Sequence, residues 1–226
     1  MAGKHISLKS GLVRMSLSVL TGVVLGVAGY EALRVMRARD DTPRLMAAAL
    51  AKADDAVKTL PADRAAMLVA VEDPTFWTND GTDFSSPGAG DTTITQGLGK
   101  LIYFPNGFRP GLRKIELILI AKFATTPLES KTDILHAFLA NAYLGGDAQG
   151  EVTGFSQGAR RWFGKSLTDI SDDQFLALVA MLPAPAAFNP VRQAAANAER
   201  VKRIKKLLAH QCAPKDHEDW MLEGCA

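Results

Sequence analysis

From Met15 to Tyr30 the chain reads MSLSVLTGVVLGVAGY without a charge, and Gly11, Leu12 and Val13 extend the apolar run to 20 residues broken only by Arg14. About 20 apolar residues span a bilayer, and an Arg near one end reaches the headgroups through its alkyl stem. The run predicts a single-pass anchor over 11–30, because helix-compatible sequence continues through EALRVMRAR. A cleaved signal peptide fits the same residues, with Gly26 and Ala28 as the small residues of a cleavage site. Lys4, Lys9 and Arg14 precede the run while Arg34, Arg37 and Arg39 follow it, so the charge count leaves orientation tied.

Further along, residues 42–70 read as helix, and Pro61 with Asp63 opens the run ADRAAMLVAVE, which ends near Pro74. Residues 78–91 are dense in Gly, Asp, Ser and Pro and predict a loop, after which Asp91 is the expected N-cap of a helix beginning TTITQGLGKLI. LIYFPNGFRPGL mixes aromatic residues with Pro and Gly and predicts irregular structure. RKIELILIAKFATT should stop at Pro127, and Ser130 with Asp133 should cap a helix running to Gly145-Gly146. GFSQGARRWFG, FLALVAML behind a capping box at Ser171 and Gln174, and the basic run AANAERVKRIKKLLAH complete a mainly α pattern with no alternating strands. The organisation expected is a cytoplasmic N-terminus (1–10), the anchor (11–30), a helical linker (31–60), one domain (61–210) and a C-terminal tail (211–226).

With 47% apolar and 22% charged residues, the composition excludes a disordered segment and a polytopic membrane protein. A net charge of +2 from 26 basic and 24 acidic residues argues against recruitment of nucleic acid by overall charge. Two cysteines and four histidines show no metal-ligand spacing.

Glu72 and Asp73 follow the apolar run MLVAV and precede Pro74, where a helix must end at the edge of the core. A carboxylate beside apolar walls has a raised pKa and can serve as general base or acid, but an acidic pair there also reads as a solvated terminus or a cap. The order of segments goes further. V-E-D-x-x-F-x-x-x-x-G-x-D (Val71 to Asp83) is followed by D-T-T-I-T-Q (Asp91 to Gln96) with Lys100, by R-K-I-E (Arg113 to Glu116) and by S-K-x-x-I-L-x-x-x-L (Ser130 to Leu139). G-F-x-x-G-A-R-R-W-F-G-K (Gly154 to Lys165) and A-L-V-A-M-L-P-A-P-A-A-F-N-P (Ala177 to Pro190) come next. In this order and register the chain resembles the peptidoglycan glycosyltransferases of family 51, over about residues 65–208 and in their monofunctional form.

The resemblance implies a lysozyme-like, mainly helical domain on the outer, periplasmic side of the cytoplasmic membrane. It implies that lipid II and the growing glycan strand are substrates, with other cell-wall synthesis proteins as partners, and no nucleic acid. Glu72 falls on the family's catalytic glutamate, the general base for the acceptor hydroxyl, and Glu116 near its second one. Lys100, Arg113 and Lys114 stand at the cations that hold the diphosphate, which a divalent cation such as Mg2+ would bridge. Asp73 and Asp83 fall in the first motif and are expected, with Thr92, Thr93, Thr95 and Gln96, at the substrate; plain capping fits the threonines equally. The alternative to turnover is a degenerate domain that binds lipid-linked glycan or a cell-wall enzyme, and a third reading, glycan hydrolysis, needs Asp83 or Glu116 as a second carboxylate.

The family pattern is not met throughout. Asn79 stands where a His is usual, Gly90-Asp91-Thr92 and Gln96-Gly97 replace Gly-Gly-Ser and paired glutamines, and the loop between Asp83 and Gly90 is short. The usual register of the second glutamate lands on Leu117, and one residue on a helix is a turn of about 100°. A helix starting later, with Gly111 upstream, would put Glu116 at that place and in one cleft with Glu72. Tyr103, Phe104 and Phe108 are expected to form an interfacial apolar surface, with Arg109 and Arg113 at the headgroups. Trp162 and Phe163 read as core. Cys212 and Cys225 are either a disulfide, which fits an exported domain, or two thiols.

Overall fold

The computed structural model describes residues 4–90 and 92–226, with side chains from Ser18 onward. It is mainly helical. The first helix, α1 (Lys4–Leu50), is continuous through Pro43. Its segment Ser18–Leu50 is long and apolar enough to cross a membrane, and the most apolar part is wholly exposed. Farther along, the same helix turns one stripe inward: Ala38, Thr42, Met46 and Ala49 recur at helical spacing and are buried. The stretch expected as a linker therefore contributes to the core, together with Ala53 and with Val57 from the short helix α2 (Asp55–Lys58).

The core is built around α7 (Lys131–Asn141), which Ser130 caps by accepting the Asp133 N–H at 3.0 Å. Its last residue, Asn141, is buried and donates to Ala49 O at 3.0 Å and to Ala137 O at 2.8 Å, tying α7 to the end of α1. Helices α3 (Ala62–Glu72), α8 (Phe155–Phe163), α9 (Asp172–Val179) and α10 (Ala194–Leu208) add buried residues to the same core. Buried Arg64 locks α3 to α9. It donates to Asp172 Oδ1 at 2.9 Å, to Leu167 O at 3.0 Å and to Ile170 O at 2.6 Å. The capping box expected at Ser171 and Gln174 is present in both directions, and Trp162 is buried with Nε1 donating to Leu144 O at 3.2 Å.

Four local expectations are corrected. A two-stranded antiparallel hairpin, β1 (Tyr143–Asp147) and β2 (Gly150–Thr153), follows α7. It has no period-two pattern because an irregularity between Tyr143 and Gly146 shifts the register, with Gly145 at φ 86°. The cap predicted at Asp91 lies outside the described residues, and α4 (Ile94–Ile102) takes Thr93 as its N-cap, whose Oγ1 accepts from Gln96 N at 3.2 Å. The helix expected to stop at Pro127 does not. α5 (Leu112–Ile120) runs into a π-helical turn (Ala121–Thr125) and then a single turn, α6 (Thr126–Leu128), whose opening tolerates proline.

The aromatic segment after α4 is also turned inward at Phe104, and in part at Tyr103 and Phe108. Phe104 is buried, and Tyr103 hydrogen-bonds Thr42 at 2.7 Å and Thr125 at 3.1 Å, while Leu101, Leu112 and Ile115 are the exposed apolar residues of this region. Beyond α10 the chain folds back as a tail joined by the Cys212–Cys225 disulfide, with Leu222 and Cys225 buried.

Candidate active site

Helix α3 buries Val69 and Val71 and ends at Glu72, so the core that anchors it delivers that carboxyl to the rim of an open cavity of about 560 Å³. Burial pushes the Glu72 carboxyl up to about 7; the Arg200 guanidinium opposes the rise and the Asp73 carboxyl adds to it. Arg200, from α10, is itself buried, with Nη1 donating to Trp220 O at 2.7 Å. Its influence on Glu72 was not foreseen from the sequence, where it is one of several cations in a basic helix.

The start of α4 also lines this cavity. Thr92, Thr93, Gly97 and Lys100 line it. Lys100 Nζ donates to Thr92 Oγ1 at 3.0 Å, and Lys114 Nζ donates to the same oxygen at 3.3 Å and to Gln96 Oε1 at 3.1 Å. Two ammonium groups thus converge on one hydroxyl beside Glu72's cavity, an arrangement suited to a multiply charged anion. Thr93 and Gln96 also serve the loop: Thr93 Oγ1 donates to Gly81 O at 2.8 Å and Gln96 Nε2 to the same carbonyl at 3.2 Å. Thr95 is buried and does not line the cavity.

Asp73 and Asp83 have other employment. Asp73 leaves α3 in a non-helical conformation, fully buried, and accepts from Asn79 Nδ2 at 2.8 Å and from the Ile94 N–H at 3.0 Å. Burial raises its carboxyl to about 6, held from rising further by the Ile94 N–H, Lys131 and Asn79. Asn79, at the usual His position, is the hub of this loop, since its Oδ1 accepts from Gly81 N at 3.0 Å and from Lys131 Nζ at 2.8 Å. Asp83 accepts from Thr75 Oγ1 at 2.6 Å, Ser86 N at 2.9 Å and Ser85 N at 3.0 Å. Burial would raise its pKa, but these hydrogen bonds outweigh it and hold the carboxyl well below the usual range. Neither aspartate lines the cavity, so both set the loop that carries Thr92 and Thr93.

The expectation of a cleft shared by Glu72 and Glu116 is also corrected. Glu116 is buried, and its Oε1 accepts from Arg34 Nε of α1 at 2.6 Å. It lines a second cavity of about 600 Å³, between α1 and the start of α5, together with Tyr30, Phe104 and Arg113. Arg113 is exposed and lies over the Phe104 ring at 5.8 Å, away from Glu72's cavity. The physical reason is helix register. Leu117 is fully buried and packs against Gly99, where an added Cβ would stand 2.8 Å from its Cδ1, which leaves the preceding residue facing α1.

Among the lining residues that the sequence does not single out are Glu218 and Trp220, both on the tail. Among the described residues no three His, Cys, Asp or Glu side chains gather as a metal cage. Mg2+ commonly keeps several waters and binds through one or two carboxylates plus substrate phosphates, so the residues present fit no protein-made metal site.

Penicillin-binding protein 1B of Vibrio cholerae is 30% identical over 156 residues, 62% of this chain and 20% of that protein. Penicillin-binding protein 1B of Escherichia coli is 29% identical over 162 residues, 64% of this chain and 18% of that protein. A candidate transglycosylase of Cupriavidus necator is 27% identical over 190 residues, 77% of this chain and 80% of that protein. The chain thus spans about one-fifth of the penicillin-binding proteins it matches. Residues 44–209 match the family described as Transglycosylase, and the chain belongs to that family.

Proposed function

We propose that this chain is a single-pass membrane protein that polymerises lipid II into glycan strands on the outer face of the cytoplasmic membrane. The observation that carries the reading is the Glu72 carboxyl, raised to about 7 in a cavity that Lys100 and Thr92 also line. A base with a pKa near the working pH is well suited to accept a proton as the bond forms. Glu72 takes the proton of the acceptor sugar hydroxyl, whose oxygen attacks the donor's anomeric carbon. The bond from that carbon to the diphosphate breaks, and the lipid diphosphate leaves with both electrons toward Lys100 and Lys114, whose charges stabilise it. Glu72 then returns its proton to water. Arg113 and Glu116 take no part in these steps, and a divalent cation belongs to the scheme only as a companion of the substrate diphosphate.

The apolar exposed part of α1 supports the anchor, and the disulfide supports an extracytoplasmic domain. The test is polymerisation of labelled lipid II by the purified chain, read as product length on a gel. Glu72→Gln is expected to lower the rate by about 100-fold or more, the range of general-base contributions. Polymerisation at the wild-type rate in Glu72→Gln refutes the base assignment. The placement of Glu116 in the second cavity favours one other reading, a domain that binds lipid-linked glycan without turnover. Wild-type protein that binds lipid II but forms no polymer, with Mg2+ or Mn2+ present, selects it.

A further inference from the structure

The tail lies beyond the family match, which ends at residue 209, yet it forms part of the wall of Glu72's cavity. Its backbone is tied at many points. Asp219 is buried and accepts from the Lys215, Glu223 and Gly224 N–H groups at 2.9, 2.7 and 2.9 Å. Arg200 and Arg203 of α10 donate to Trp220 O and Met221 O, and the disulfide joins Cys212 to Cys225. On the other side, Gly88 N donates to Asp216 O at 2.8 Å, Gly90 N to His217 O at 2.9 Å, and His217 Nδ1 lies 2.9 Å from Ser86 O. The short loop before α4 and the tail are therefore one wall. Gly88, at φ 76°, permits the contact, because a Cβ there would meet Pro214 Cγ at 2.6 Å.

On this fixed backbone two side chains are left to the cavity. Trp220 is 42% exposed and Glu218 is exposed, and both line the space that Glu72 faces. An indole offers a broad apolar face with a polar edge, and an ionised carboxylate only accepts hydrogen bonds. A sugar ring has the matching halves, a face of C–H groups and a rim of hydroxyl donors. Binding cavities are typically built this way, with apolar walls and a few placed polar groups.

We propose that the disulfide-closed tail forms a saccharide subsite of the Glu72 cavity, in which Trp220 stacks on one face of a glycan-strand sugar and Glu218 accepts hydrogen bonds from its hydroxyls. The inference rests on the reading of this cavity as one that handles glycan. Ala89 and Gly90 of the short loop line the same cavity, so loop and tail would bound the subsite together.

The test uses the full chain in detergent and, as probe, a fluorescent tetrasaccharide of alternating N-acetylglucosamine and N-acetylmuramic acid without a lipid. Trp220→Ala is expected to weaken binding about tenfold, Glu218→Gln several-fold, and Trp220→Phe by no more than about threefold, since a flat apolar face remains. Replacing both cysteines by serine should reproduce the loss of Trp220→Ala. Lipid II turnover by Trp220→Ala should show a raised KM with kcat retained, a split that a merely structural defect does not give. Equal binding by wild type, Trp220→Ala and Glu218→Gln overturns the subsite, as does failure of the wild type to bind. If wild type polymerises lipid II while the tail variants bind and turn over normally, the subsite falls and the polymerase reading stands. Trp220-dependent binding without polymer leaves the subsite standing and removes the polymerase.

Discussion

Glu72→Gln should make the protein more stable, by an amount that depends on pH. The substitution keeps the size of the side chain and removes its charge. In the folded protein the Glu72 carboxyl is raised from 4.5 to about 7, chiefly by burial. Because the folded state holds this proton more tightly, stability is fully present below 4.5, falls as pH rises, and has lost its whole share above about 7. At 1.36 kcal/mol per pK unit the loss is about 3 kcal/mol. For a chain of this size that is a shift of about 5–10 °C in melting temperature. Wild type and Glu72→Gln should therefore melt together near pH 4, and the variant should melt progressively higher toward pH 8, followed by circular dichroism in one detergent. The same ionisation sets the acid limb of kcat/KM, so activity and stability change in opposite directions over one pH window. If the two proteins melt at the same temperature at pH 8, Glu72 is not desolvated, and the reasoning that makes it a base near neutrality fails.

Two further outcomes follow from the packing. Glu116→Gln should keep lipid II polymerisation within about threefold of wild type while lowering stability by about 1–2 kcal/mol, because a charge-assisted bond to half-exposed Arg34 becomes a neutral one; loss of activity with stability unchanged would return Glu116 to the chemistry. Arg64→Ala removes the partners of the Leu167 and Ile170 carbonyls and should cost about 2–4 kcal/mol in urea unfolding, with Arg64→Lys recovering only part, since an ammonium cannot reach both carbonyls and Asp172 at once.

Much of the helical framework can be read from local chemistry. Ser130 and Ser171 cap where their spacing to Asp133 and Gln174 says they should, and α3 ends one residue before Asp73 and two before Pro74. What local pattern cannot convey is direction. Glu116 and Leu117 compete for the same side of α5, and the contact of Leu117 with Gly99, a residue on another helix, decides which faces α1. The π-helical turn after Ile120 is equally silent in sequence, since it is an adjustment of backbone hydrogen bonding. The hairpin escapes notice because Gly145, Gly146 and Gly150 erase the alternation that marks strands. At the site, Glu72 and Lys100 are legible through motif order, and both line the cavity. Glu218 and Trp220, which line it from a tail closed by a cross-link, and Arg200, which acts on Glu72 from α10, are not, because they lie far downstream of those motifs.

The unbroken course of α1 has a mechanical consequence. Arg34 holds Glu116, Arg39 donates to Phe123 O, Thr42 meets Tyr103 and Met46 enters the core, so one face of the helix is fastened to the domain over several turns. With the apolar end in a bilayer, the domain has no swivel: it leans as the helix leans. A residue inserted between Tyr30 and Arg34 acts as a turn of a screw, raising the domain by about 1.5 Å and rotating it about 100° around the helix axis. The number of residues between lipid and first attachment thereby sets both how high the cavity stands above the membrane and which way its mouth opens.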